Sequence, residues 1–255
     1  MSSARNRCTM MILAAAVCAL ATTAAAEPLV KANAGAAKKV LIVTGLDLHN
    51  WKATTPVLVE AIARDKRLEV SVSEDPRFLG SPHLKDYDVI VLHYMNWKDP
   101  GPGAEAQENF RKCVEGGTNL VLVHFACGAF QGWPEFVKVA GRIWNPKFRA
   151  HDPRGPFRVE IADPAHPITA AMAAFDADDE LYTCLDGDTP IHVIATARSK
   201  VDKKIYPMAF TLSYGKARVF HCVLGHDVKA LSMPGVATMF RRGTAWATGI
   251  EPAKP

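Results

Sequence analysis

Several signatures of familiar chemistry are missing from this chain. It has no G-x-G-x-x-G turn and no Walker lysine followed by Ser or Thr, so both common phosphate cradles are absent and nucleotide binding is disfavoured. It has no H-E-x-x-H helix, and its cysteines are too widely spaced for a metal knuckle. No basic stripe is interleaved with aromatics and the net charge is only +4, which argues against a nucleic-acid partner. Arg241-Arg242 is the one adjacent arginine pair and reads as the solvated face of a helix. No apolar run reaches the roughly 20 residues of a comfortable membrane span.

The longest apolar run, Met10 to Ala21, follows Arg5 and Arg7 and precedes Ala24-Ala25-Ala26 and Glu27. Basic, apolar, then small is the secretory signal pattern. The expectation is a signal peptide over residues 1–26, a poorly ordered leader over 27–37 and one domain over 38–250. The location is then periplasmic or secreted, with no membrane attachment after cleavage. Cys8 and Cys18 would leave with the signal, and Val17 is too bulky for a lipoprotein box. Cys113, Cys127, Cys184 and Cys222 remain. An exported protein could pair them, but the apolar surroundings of Cys113 and Cys222 favour buried free thiols.

From Lys38 onward the pattern is that of a globular α/β protein, with 49% hydrophobic and 22% charged residues. Val40–Val43, Val89–Leu92 and Leu120–Val123 are continuous apolar runs, as expected of strands buried on both faces, and Leu68–Val72 reads as another. Thr54 or Thr55 is a candidate cap for a helix with Pro56 in its first turn. Ala104–Glu115 has helical spacing and stops at Gly116-Gly117. This order predicts a mostly parallel sheet with helices on both faces. Further strands are expected at Phe157–Ile161, Ile191–Ala197, Met208–Leu212 and Arg218–Val223, and a last helix at Pro234–Thr248.

Against this frame the histidines are unevenly placed. His49, His124, His151, His166 and His226 lie at expected strand ends or in the loops after them. Ligands of open α/β sheets bind at the carboxyl ends of the strands, so histidines there suggest acid–base or metal chemistry near neutral pH. His124 ends a buried strand at a turn resembling a nucleophile elbow, with Cys127 as a rival nucleophile. Asp178-Asp179-Glu180 reads as a solvated turn from which Glu180 faces the pocket while its neighbours face water. Gly225 permits a tight turn before His226, and Asp227 is placed to orient that imidazole.

Taken in order, His49-Asn50-Trp51-Lys52-Ala53-Thr54-Thr55-Pro56, Tyr87-Asp88-Val89-Ile90, Gly116-Gly117 to His124, His166-Pro167-Ile168-Thr169, Asp179-Glu180-Leu181-Tyr182, Gly215 to Gly225-His226 and Gly243 to Trp246-Ala247 resemble the ThuA-like, or trehalose-utilisation, family over about Lys38 to Gly249. The resemblance implies a flavodoxin-like, class I glutamine-amidotransferase-like α/β fold without the amidotransferase triad, His124 standing where amidotransferases carry cysteine. It links the chain to trehalose and related disaccharides and, by association, to 3-keto-sugars. Cys127 just after the elbow, and Gly215-Lys216-Ala217-Arg218 where a second glycine is common, depart from some members.

The leading expectation is a domain acting on a small carbohydrate, a keto-glycoside being the most specific form. His124, Glu180 and His226 serve as acid–base groups or as ligands of a divalent metal such as zinc. His49, Trp51, His151 and Asp227 line the substrate pocket, Trp51 as a stacking platform. The alternatives are a non-catalytic sugar-binding or accessory protein, and a cysteine hydrolase using Cys127.

Overall fold

Strands whose alternate residues are both apolar need cover on both faces, and this requirement sets the architecture. The computed structural model describes residues 36–46, 49–97 and 101–255. The expected signal peptide and nearly all of the leader lie outside the described residues. The strands are β1 (Lys38–Val43), β2 (Leu68–Ser73), β3 (Val89–Leu92), β4 (Asn119–Val123), β5 (Ile143–Trp144), β6 (Gly155–Ile161), β7 (Phe175–Asp179), β8 (Leu185–Asp186), β9 (His192–Arg198), β10 (Ile205–Tyr214) and β11 (Ala217–Cys222). The helices are α1 (Trp51–Ala63), α2 (Ala104–Gly116), α3 (Phe136–Ala140), α4 (Val228–Ser232) and α5 (Pro234–Ala247).

One sheet of nine strands runs β2-β1-β3-β4-β11-β10-β9-β6-β7, and β5 pairs with β8 apart from it. Along β1, Val40 and Ile42 join one core with Leu58 and Ile62 of α1 and Met239 and Phe240 of α5. Leu41 and Val43 join the other, with Phe110 and Val114 of α2 and Phe136 of α3. Period-two alternation thus sends the side chains of β1 into two separate cores, with helices on both faces as expected.

The expectation of a mostly parallel sheet is corrected. The strands β2, β1, β3, β4 and β11 are parallel. The pairs β11–β10, β10–β9, β9–β6 and β6–β7 are antiparallel. Gly215-Lys216 is the reason at one point: two residues join β10 to β11, and a link that short serves only antiparallel neighbours. Gly215 has φ +56°, and a Cβ there would lie 2.5 Å from the Glu115 carbonyl oxygen.

Three local expectations also change. Asn50 caps α1, its Oδ1 accepting from the Ala53 N–H at 3.3 Å, so Pro56 falls inside the helix. Thr54 instead returns its hydroxyl to the Asn50 carbonyl. The acidic run is not a turn, because Phe175–Asp179 forms the edge strand β7 with Ala177 and Asp179 buried. Its outward aspartates pair with basic neighbours: Asp176 with Arg158, and Asp178 with Arg154 and Lys229.

Arg242 is not solvated. It is 3% exposed, and its guanidinium donates to the carbonyls of Pro167 at 2.6 Å, Ile168 at 2.5 Å and Ala170 at 3.0 Å, and to that of Ala253. This side chain ties α5 to the β6–β7 connection and to the C-terminal residues. Arg242→Leu would leave the buried Ile168 carbonyl and the part-buried carbonyls beside it without this donor, with an expected loss on the order of 3 kcal/mol. Urea denaturation measures it, and a loss below about 0.5 kcal/mol, the ordinary surface value, contradicts the assignment.

Candidate metal centre

The carboxyl ends of β1, β4, β7 and β11 bring His49, His124, Glu180 and His226 together, with Asp179 beneath them and His151 alongside. At the end of β4 the chain enters a 3₁₀ turn, His124–Gly128, with His124 at φ +47°. That left-handed conformation is uncommon for a residue with a side chain. It is anchored by the His124 Nδ1, 2.8 Å from the Val223 carbonyl oxygen. A carbonyl only accepts, so Nδ1 carries the proton and Nε2 presents a lone pair. Nε2 accepts from the Tyr182 hydroxyl at 2.9 Å and stands 3.8 Å from Glu180 Oε2.

After β11, Gly225 has φ +113°, and a Cβ there would sit 2.8 Å from Leu231 Cδ2, so this turn needs glycine. It delivers His226 with Nδ1 3.2 Å from Glu180 Oε2. Despite that distance, His226 Nδ1 is buried without an aligned hydrogen bond. His49 packs edge-on against both imidazoles, its ring centre 4.9 Å from that of His124 and 4.8 Å from that of His226. Residues 150–152 run antiparallel to 181–183, which seats His151 Nε2 3.5 Å from Glu180 Oε1.

Asp179 holds this arrangement. It is fully buried, and its carboxylate accepts the N–H groups of Gly225 at 2.6 Å, His226 at 3.2 Å and Glu180 at 2.8 Å. The expectation that Asp179 faces water is therefore corrected. Alternation along β7 turns Ala177 and Asp179 inward together.

The electrostatics follow from burial and proximity. Burial, helped by the nearby His49, holds His124 well below the usual imidazole range, so it is neutral at pH 7. Burial works against the Glu180 carboxylate, but His226, His151 and His49 outweigh it and keep Glu180 below its usual range. The same contact raises His226, against the opposing effect of its burial. Burial pushes Asp179 up to about 6 despite its three backbone donors.

One nitrogen or oxygen from each of His49, His124, Glu180 and His226 lies within 4.8 Å of all the others. Three imidazoles and a carboxylate are a donor set suited to borderline divalent ions. The cluster has the composition and spacing of a divalent-metal site, and the misaligned, buried His226 Nδ1 fits a ligand aimed at an ion. Beside it a cavity of about 580 Å³ opens between the starts of α1 and α4, lined by His49, Thr54, His226, Asp227 and Lys229 among others. A second cavity of about 490 Å³, lined by Asp88 and Asn119 at the opposite strand ends, has no histidine.

The other candidates are placed as follows. Asp227 lines the cavity, but its carboxylate is turned to Arg154 at 2.7 Å and to the Ala230 N–H at 2.8 Å rather than to His226. Trp51 starts α1 with Lys52 Nζ 5.5 Å from its ring centre and is not part of the cavity wall. His166 lies outside the cluster, packed on His192 and Trp246. Cys127 is fully buried in the apolar core, the setting of a packed thiol, and all four described cysteines are unbridged.

Sequence reasoning gave three residues of this region no role in the site. His93 follows β3 as His124 follows β4, and its ring nitrogens lie 3.4 Å from the hydroxyls of Thr54 and Thr55. The strand-end rule already applied to the other histidines would have found it. Tyr182, two residues beyond Glu180, and Asp179 gave no separate signal.

Asp179→Asn presents an amide N–H₂ where backbone donors need an acceptor, with an expected loss of about 1–3 kcal/mol. In the native protein the raised Asp179 pKa means that the folded state binds this proton more tightly than the unfolded chain. This group therefore lowers stability as pH rises between about 4 and 6. Urea titrations across that window should show the component in wild type and not in Asp179→Asn; equal pH slopes would count against it.

The comparisons with known proteins agree with this architecture. A ThuA-like protein from Parabacteroides merdae superposes with a TM-score of 0.76 at 25% identity, over 86% of this chain and 93% of that one. A ThuA-like protein from Bacteroides uniformis gives 0.67 at 18% identity, over 89% and 99%. The glutaminase domain of a Trypanosoma brucei CTPS gives 0.51 at 11% identity, over 86% and 96%, a likeness of fold alone. No curated protein matches the sequence. The profile of the family described as ThuA, trehalose utilisation, matches residues 39–247, and the chain belongs to that family.

Proposed function

We propose that the chain is an exported domain that acts on a carbohydrate, a keto-glycoside in the most specific form, with a divalent metal held by His49, His124, Glu180 and His226. The convergence of those four ligand atoms within 4.8 Å, at the edge of a sugar-sized cavity, carries the reading. The family's description supplies the carbohydrate. The likeness to a glutaminase domain supports a class I glutamine-amidotransferase-like sheet, here with histidine at the elbow and without a nucleophilic cysteine.

A divalent ion in this position supplies Lewis acidity toward a carbonyl or hydroxyl oxygen. The chain supplies the rest. Burial keeps His124 neutral, and the Val223 carbonyl fixes its proton on Nδ1, which leaves the lone pair on Nε2. Glu180 Oε1 and His151 Nε2, 3.5 Å apart, flank a position through which a proton can pass between the two groups. His151 Nδ1 is fixed on the Asp152 carbonyl oxygen at 2.7 Å, which sets the direction of that ring. Asp152 is in turn held by Ser199, Lys200 N–H and Arg149.

The test is to purify the mature protein, measure bound metal, and assay glycosides and 3-keto-glycosides with and without a chelator. Turnover that chelation abolishes and metal restores is the expected result, and His124→Ala should lose metal and turnover while keeping the fold. Metal binding and sugar binding without turnover of any glycoside would leave the accessory-protein role; unchanged turnover in His124→Ala would remove the site from the chemistry.

Acid should also weaken metal binding. Protons compete with metal for His226 Nδ1, and the contact with Glu180 raises that nitrogen's proton affinity. Affinity is then full above the raised pKa and falls as the pH drops through it, so titrations above and below neutrality should differ. A pH-independent affinity would exclude His226 as a ligand. Export is tested by N-terminal sequencing of the mature protein, which should begin near Glu27; retention of Met1 in the cytoplasm would reject it.

A further inference from the structure

Tyr182 is among the largest fully buried side chains, yet its hydroxyl reaches the centre of the cluster. Its ring is walled by Trp144, with ring centres 5.2 Å apart and edge-on, and by Phe125 and His151 at 6.2 and 6.1 Å. The hydroxyl lies 2.9 Å from His124 Nε2. Because His124 Nδ1 is committed to the Val223 carbonyl, Nε2 is the only nitrogen with which His124 can bind a metal. One lone pair therefore has two claimants, the phenolic proton and the ion.

We infer that Tyr182 is a positioning residue that guards the metal-ligating nitrogen of His124, its hydroxyl satisfying Nε2 in the metal-free protein and giving it up when metal binds. The inference rests on the metal reading of the site. It accounts for how a neutral imidazole, 3% exposed, keeps its lone pair satisfied before an ion arrives. It also sets a cost on metal binding, since the hydroxyl must leave its acceptor within a largely apolar wall. In this role Tyr182 yields the nitrogen to the ion and is not itself a ligand, its ring staying held against Trp144, Phe125 and His151.

The test is calorimetric titration of the full chain with zinc alone, comparing wild type, Tyr182→Phe and His124→Ala. Removing a competing hydrogen bond should tighten zinc binding by about threefold to tenfold in Tyr182→Phe. His124→Ala should bind zinc far more weakly. In wild type, zinc should also produce a near-ultraviolet tyrosine difference spectrum as the phenol loses its acceptor. That spectrum tests the inference even if Tyr182→Phe fails to fold, and its absence overturns it.

Unchanged or weaker zinc binding by Tyr182→Phe removes the guarding role and leaves the metal site standing. No zinc binding by wild type or Tyr182→Phe brings down the metal reading and this inference with it. Loading with ferric ion gives a further check, because a visible charge-transfer band lost in Tyr182→Phe would mean a phenolate ligand and refute the competition.

Discussion

Asp179 places both carboxylate oxygens on backbone N–H groups, and the metal-facing side chains depend on that arrangement directly or at one remove. It fixes Glu180, its neighbour, at the end of β7. It fixes His226 across the fold, in the loop after β11. Three strands separate β7 from β11 in the sheet, so the contact exists only because the antiparallel half curls back over α4 and α5. Gly235 records how close that approach is: a Cβ there would sit 2.3 Å from the Phe175 ring. A buried carboxylate satisfied by backbone donors is costly to form but rigid once formed, because no long side chain has to be ordered to meet it.

Around that anchor the fold separates three titratable groups by their surroundings. His124 is deep and stays neutral. Glu180 is half enclosed by imidazoles and stays ionised. His226, against Glu180, holds protons more tightly than an ordinary imidazole. Neighbouring groups pushed in different directions are the usual basis of assigned proton roles. The aromatic wall of Phe125, Trp144 and Tyr182 sharpens these differences by excluding water from one side.

Much of the first half was legible because its strands are buried on both faces. Runs such as Val89–Leu92 admit few other readings, and a histidine directly after such a run, as at His124, stands at the carboxyl edge by necessity. The second half was less legible because a buried charge imitates a solvated one in sequence. Asp179 and Arg242 each looked like surface residues. Each is buried because backbone groups, which carry no sequence signature, satisfy it. Asn50 displaced Thr54 and Thr55 as the cap of α1 because any of the three has suitable chemistry and only the path of the chain selects among them.

By itself the sequence determined that the chain builds an α/β sheet with cover on both faces, and that several histidines sit at one end of it. Those properties follow from local alternation and from strand direction, which are short-range. Tertiary structure alone decided which histidines meet. His49, His124, His151 and His226 gather around Glu180, whereas His166 packs on Trp246 elsewhere. It also decided that Tyr182 faces His124 and that Asp227 turns to Arg154 instead of His226. Each of those outcomes depends on the curl of the antiparallel half, a property of the whole sheet that no single segment encodes.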